Sequence, residues 1–567
     1  MTDTTLHADA AEAFRWPRPP GDDEKYRYLA APQHRWLFVV AAIAFAGVAL
    51  SFAGLAARSM WTVLFFVPLV LLMLEQLISL PTSTLRRRVT LPDHQFLVET
   101  YAPGRYPSVD VFLPTAGEDL AVLENTYEHV ARLRWQGPLF VHVLDDAARP
   151  EVLDLALRFG FRYIARPGSE FKKAGNLQHA FTRTGSDLIL LLDADFVPRP
   201  DFLAETVPYF ESESVGIVQT PQYFETPRSM HWLERCAGAT QELFFRQIQP
   251  SRDSAGAAIC VGTSAVYRRS ALQQIGGFPL IGHSEDVFTG VLLGRKGFEL
   301  QYVPVLLSRG RCPDDLRAFL AQQYRWCEGS MSLVADHDFH DEPSMTPRQR
   351  LSFWAGFLYY VTTAVNAVVA PLPLLVMVCF FPGSVVATNM LPLLGVLLLW
   401  LVVLPRVTQA RWRPDVLRVQ TLYGFAHLLC ITDMLRGQTA EWVATGADHT
   451  RSARAVRASV ADRVARFMTP WLLLTQLAAF AGLTHGVLTY GFTHYWANLV
   501  FASFSAYIFL PVAWEGLKVL RDRTTVSIPT GSASSSVTAT TAAPVVIQLP
   551  VAAATEHPGA VTPGDTP

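Results

Sequence analysis

Six apolar runs, each long enough to cross a bilayer as a helix, stand two before and four after a long polar block, and no ordinary soluble fold accommodates that layout. Trp36 to Ala57 runs for about 20 residues without a charge, enough at 1.5 Å per residue to span a hydrocarbon layer of roughly 30 Å. Only Arg58 and Ser59 separate it from the next run, Met60 to Leu80, so the two are expected to form a helical hairpin (36–81). Later runs cover 353–381, 389–405, 470–490 and 495–514, within a membrane region of 346–517. Pro371 and Pro373 predict a break in the first of these. Arg86, Arg87 and Arg88 follow the hairpin, and a second Arg-rich loop (406–466) joins the fourth and fifth runs, whereas 382–388 and 491–494 carry no Lys or Arg. Positive residues collect on the cytoplasmic side, so the block at 85–345, that loop and both termini are expected inside. Val419 to Leu435 in the loop carries His427 and Asp433 and reads as an interfacial helix, with a seventh span as the alternative. Residues 1–35 read as a flexible cytoplasmic tail, and 524–567, rich in Thr, Ala, Ser and Pro, as a disordered one.

The polar block alternates strand-like runs (Val109–Leu113, Leu139–Leu144, Phe161–Ile164, Leu188–Leu192, Gly216–Gln219) with helical patterns at 119–133, 151–159 and 174–183. That rhythm predicts right-handed βαβ crossovers and a mostly parallel α/β sheet. Net charge is -2, so no nucleic-acid partner is indicated, and six scattered cysteines lack metal-ligand spacing.

Within the block one stretch concentrates chemistry. Leu188 to Leu192 reads as a strand buried on both faces and ends in Asp193-Ala-Asp195, whose carboxylates project the same way in extended backbone. Ligands of open α/β sheets bind beyond the carboxyl ends of strands, and two carboxylates there suit Mg²⁺ or Mn²⁺ shared with substrate phosphates. Alone, an Asp-x-Asp is more often a solvated turn. Its neighbours argue otherwise: Asp145-Asp146 ends the strand Leu139–Leu144, and Lys172-Lys173 opens a helix whose free N–H groups face an anion well. Ser284-Glu285-Asp286 starts another helix, with Ser284 as its expected N-cap, and on a helix Gln322, Arg325 and Trp326 share one face.

Taken in order, Asp145-Asp146, Lys173-Ala-Gly-Asn176, Asp193-Ala-Asp195, Ser284-Glu-Asp286 and Gln322-x-x-Arg-Trp326 resemble the processive family-2 glycosyltransferases, and are most similar to bacterial cellulose synthase catalytic subunits. Local strings such as Val109-Asp-Val-Phe-Leu-Pro-Thr115 and Tyr163-Ile-Ala-Arg-Pro167 extend the likeness over about 100–345. The resemblance implies a nucleotide-sugar-binding GT-A domain, cytoplasmic and inserted between transmembrane α-helices of a plasma-membrane protein. It implies that Asp193 and Asp195 hold Mg²⁺ or Mn²⁺, that Asp286 is the general base, and that Thr115, Asp145, Asp146, Lys173, Gln322, Arg325 and Trp326 bind substrate. Its partners would be a UDP-sugar donor, a growing polysaccharide acceptor, membrane lipid and an accessory export subunit. The implied activity is processive, inverting polymerisation of a cellulose-like β-1,4-glucan from UDP-glucose. Another β-glycan (chitin-, hyaluronan- or mixed-linkage-like) and transfer of a single sugar to a lipid are the alternatives. Ala147 stands where the family usually has Gly, Ser284 where Thr is common, and Phe196 where His often follows the metal pair. Glu441 to Gly446 loosely resembles the family's mobile gating loop.

Overall fold

Every side chain of β1 (Val109–Thr115) is buried, which a run of Val, Phe, Leu and Pro tolerates only where both faces of the sheet are covered. In this computed structural model, which describes residues 16–57, 60–224, 226, 230–313, 315–410, 412–439, 451–522 and 546–547, β1 lies at the centre of the main sheet. It pairs in parallel with β2 (Leu139–Asp145) on one side and β4 (Leu188–Leu191) on the other. β3 (Arg162–Ala165) adds in parallel beyond β2. Past β4 come β8 (Ala265–Arg268), antiparallel to both neighbours, then β6 (Val215–Gln219) and β9 (Glu299–Tyr302), parallel to each other. The sheet is mixed but mostly parallel and is flanked by membrane-length helices, as the GT-A expectation requires. A smaller sheet joins β5 (Val197–Pro198), β10 (Ser308–Gly310) and β7 (Tyr223–Phe224) in that order.

Alternation along the strands builds two cores. Val109, Val111 and Leu113 of β1, with Leu188, Leu190 and Leu192, pack on one face beneath Leu123, Tyr127, Val152 and Leu155. Phe112, Ile189 and Leu191 face the other way, against Leu177, Ala180, Leu272 and Phe278. Each such side chain contributes about 1.5–3 kcal/mol on leaving water. The buried Asp110 is offset by His142 and Arg269, each 2.9 Å away.

Six helices are long and apolar enough to cross a membrane: Trp36–Ala56, Phe66–Ser83, Pro347–Phe380, Ala387–Val407, Ser459–Tyr490 and Phe492–Asp522. The third is interrupted, with helices Pro347–Val369 and Leu372–Phe380 meeting at Pro371, as the prolines predict. Helix Val416–Leu435 is not one of the six; it packs between helices Leu316–Val334 and Pro347–Val369, with Asp433 fully buried against Arg463 and Tyr324.

Two sequence expectations need correction. Residues 16–35 are a packed strap, with Tyr28 and Leu29 buried. The strap, expected as a flexible tail, is tied down by its charges: Glu24 pairs with Arg309 and Lys25 with Asp201, while the exposed Asp22 meets Arg199. Residues 1–15 lie outside the described residues, as do Glu441 to Gly446 and most of 524–567. Within that last segment, however, Val546–Ile547 forms β11, antiparallel to β3.

Candidate active site

The carboxyl ends of β1, β2 and β4 open into one cleft of about 350 Å³. β4 leaves the ladder before its acids: its last paired residue is Leu191, and the chain then turns, with Phe196 N–H donating to the Asp193 carbonyl. Both carboxylates therefore face the cleft. Asp193 accepts from Lys173 Nζ at 2.5 Å, and the same ammonium donates to the Gly262 carbonyl (2.7 Å) and lies 3.8 Å from Glu285. Burial, then the charges of Asp193 and Glu118, push the Asp195 carboxyl up to about 7. Two adjacent carboxylates, one paired with a lysine and the other penalised by its neighbour's charge, are a donor set that fits a hard divalent cation. Among the described residues no cluster of three or more His, Cys, Asp or Glu could hold a metal, so phosphate or water oxygens would have to complete its coordination.

Across the cleft, helix Glu285–Arg295 begins with the acid pair. Burial, then the Glu285 charge, push Asp286 up to about 7, within the range in which a carboxylate is an effective base near neutral pH. A Cβ on Gly262, at φ +71°, would lie 2.8 Å from the Asp286 carboxylate, so only glycine fits there. Ser284 occupies the N-cap position without capping: its backbone is left-handed (φ 51°) and its side chain makes no cap hydrogen bond. Its hydroxyl instead fills the space a Cβ on Gly329 would take. Gly329 belongs to helix Leu316–Val334, capped by Asp315 through Arg317 and Ala318 N–H. That helix turns half-buried Gln322, Arg325 and Trp326 into the cleft while Gln323, Tyr324 and Cys327 are buried behind.

Thr115, Asp146 and Lys173 also line the cleft. Thr115 Oγ1 donates to Glu118 (2.5 Å), and Asp146 is held by both arms of Arg166. Asp145 does not reach the cleft and corrects the sequence reading. It is fully buried and accepts from Ala147 N–H (3.0 Å), Arg149 N–H (2.7 Å) and the Tyr163 hydroxyl (2.9 Å), which makes it the brace of the turn after β2. Residues that sequence reasoning missed are Glu118, Phe196 as a wall and Trp16 from the strap, which line the cleft, and Gly262, which packs against Asp286 and accepts from Lys173. Glu118 left a trace, an acid three residues past the end of a buried strand; Gly262 left none.

Residues 188–408 match the family model described as "Glycosyl transferase family group 2". The chain is 30% identical over 298 residues to cellulose synthase 1 of Komagataeibacter xylinus, covering 52% of this chain and 19% of that protein. It is 30% identical over 294 residues to the cellulose synthase 1 catalytic subunit (UDP-forming) of the same organism, covering 51% and 39%. The match thus spans well under half of those relatives. Among solved structures, a mannosyltransferase from Pyrobaculum calidifontis is similar at 16% identity and a TM-score of 0.44, over 69% of this chain and 99% of that one, too remote to add to the assignment.

Proposed function

We propose that this chain, which carries a glycosyltransferase family 2 domain, is a processive, inverting membrane transferase. In this reading it polymerises a cellulose-like β-1,4-glucan from UDP-glucose and moves it across the plasma membrane, with the cleft on the cytoplasmic side. The observation that supports this best is one cleft lined at once by Asp193, Asp195, Asp286 and the Gln322–Arg325–Trp326 face, on a helix that leads within a few turns into the third membrane span.

In this reading the uridine lies against the Thr115 and Asp146 end, with Lys173 beside the diphosphate. Asp193 and Asp195 would hold Mg²⁺ or Mn²⁺, which when bound offsets charge on the departing diphosphate. Trp326 offers a face to the acceptor ring and Gln322 a hydrogen bond. Asp286 takes the proton of the acceptor hydroxyl as that oxygen bonds to the anomeric carbon from the face opposite UDP. The bond from that carbon to the diphosphate breaks, inverting the centre, and Arg325 stabilises the leaving charge. The growing chain and an accessory export subunit are the partners this implies.

Incubating the membrane-inserted protein with a panel of radiolabelled UDP-sugars and sizing the product tests the proposal. A β-1,4-glucanase-sensitive polymer from UDP-glucose is expected. A single lipid-linked sugar, or polymer only from another donor, would contradict it. Trp326→Ala is expected to shorten the product while donor binding is spared.

A further inference from the structure

The strap that precedes the first span is locked onto the back of the small sheet, and its leading end reaches the cleft. Each strand of that sheet, or the residue directly after it, is gripped by the strap. Arg199, directly after β5, donates to the Pro20 carbonyl and to Asp22, both at 2.6 Å. Tyr223 of β7 donates its hydroxyl to Glu24 (3.1 Å), and Arg309 of β10 pairs with the same carboxylate. Lys25 adds Asp201 (2.7 Å) and Glu205. Upstream of these clamps Asn125 donates to the Pro17 carbonyl (3.1 Å), and Trp16 and Pro17 line the cleft. Asn125 lies on helix Leu120–Val130, which follows the Thr115–Glu118 turn, so the strap closes the end of the cleft formed by β1.

We propose that Trp16 is a donor-binding residue, its indole stacking on the base of the UDP-sugar at that end of the cleft. This rests on the donor reading above. An aromatic ring gives a base a large contact area, and the clamps fix the strap in place before the donor arrives, so little ordering cost falls on binding. The mixed charges of residues 22–27 then have a function: they hold an aromatic wall at that end of the cleft.

Calorimetric titration of the full-length protein with UDP and Mg²⁺ tests the assignment. Trp16→Ala is expected to weaken UDP about tenfold. Trp16→Phe, which keeps a π face, is expected to recover most of the affinity, and Trp16→Leu, which keeps bulk alone, to bind as weakly as the alanine variant. Leucine binding as well as tryptophan would reduce Trp16 to packing and overturn the proposal. So would unchanged UDP affinity in Trp16→Ala with shortened product, which would place the ring against the acceptor. Failure of the wild-type chain to bind UDP would overturn the donor reading itself, and this inference with it.

Discussion

Two pairs of acids stand at the carboxyl ends of the two parallel strands that flank β1, Asp145-Asp146 at the end of β2 and Asp193 with Asp195 beyond β4, and the fold treats them differently. Asp145 is still in the ladder, paired with Thr115 and Ala165, so its side chain points into the layer beside the sheet. There it accepts from two backbone N–H groups and a tyrosine hydroxyl, and Arg166 pairs with Asp146. β4 stops at Leu191, so its acids fall in the turn beyond and open on the cleft. The position of an acid relative to the last paired residue, more than its spacing from the next acid, decides whether it braces a turn, as Asp145 does, or opens on the cleft, as Asp146, Asp193 and Asp195 do.

Exchanging the two pairs' roles by mutation should fail in opposite ways. Asp195→Asn is expected to lower turnover at least about 10²-fold and to abolish dependence on added Mg²⁺, with the melting temperature kept, because a cation site loses half its charge. Steady-state rates with and without chelator check this.

Asp286→Asn should cost a similar 10²-fold or more, with UDP affinity near wild type. In the proposed role Asp286 acts deprotonated, and with its carboxyl pushed up to about 7, wild-type kcat/KM should fall as pH drops through about 7; the variant should keep only the shallower fall left by Asp195, which is also raised to about 7. A pH–rate profile for both proteins is the measurement.

Asp145→Asn should do the reverse of Asp195→Asn. It sets an amide among three donors inside the protein and should cost about 1–3 kcal/mol of stability, while turnover per folded molecule stays near wild type. Tyr163→Phe removes one hydrogen bond from the same brace and should cost only about 1 kcal/mol. Thermal melts alongside specific activity read both. Loss of activity in Asp145→Asn without loss of stability would return that acid to the substrate site.

Much of this was legible in sequence because it rests on local periodicity. Leu188–Leu192 announced a doubly buried strand, the apolar runs announced the spans, and the i, i+3, i+4 spacing put Gln322, Arg325 and Trp326 on one face. What escaped depends on contacts between distant residues. The charges at Glu24 and Lys25 are buried only once Arg309 and Asp201 are placed beside them, and Gly262 matters only because Asp286 arrives against it. Ser284 reads as a cap from its neighbours, yet its left-handed backbone and the bare Gly329 opposite send its hydroxyl elsewhere.

The central claim is that the cation on which donor binding depends is held by the acids beyond β4, and that Asp145, the last residue of β2, only braces a turn. Manganese-dependent UDP binding, titrated calorimetrically on wild type, Asp195→Asn and Asp145→Asn, tests it most directly. The account predicts that wild type and folded Asp145→Asn bind UDP only when Mn²⁺ is supplied, and that Asp195→Asn loses the manganese-dependent component. Manganese-dependent binding kept in Asp195→Asn and lost in Asp145→Asn would contradict it.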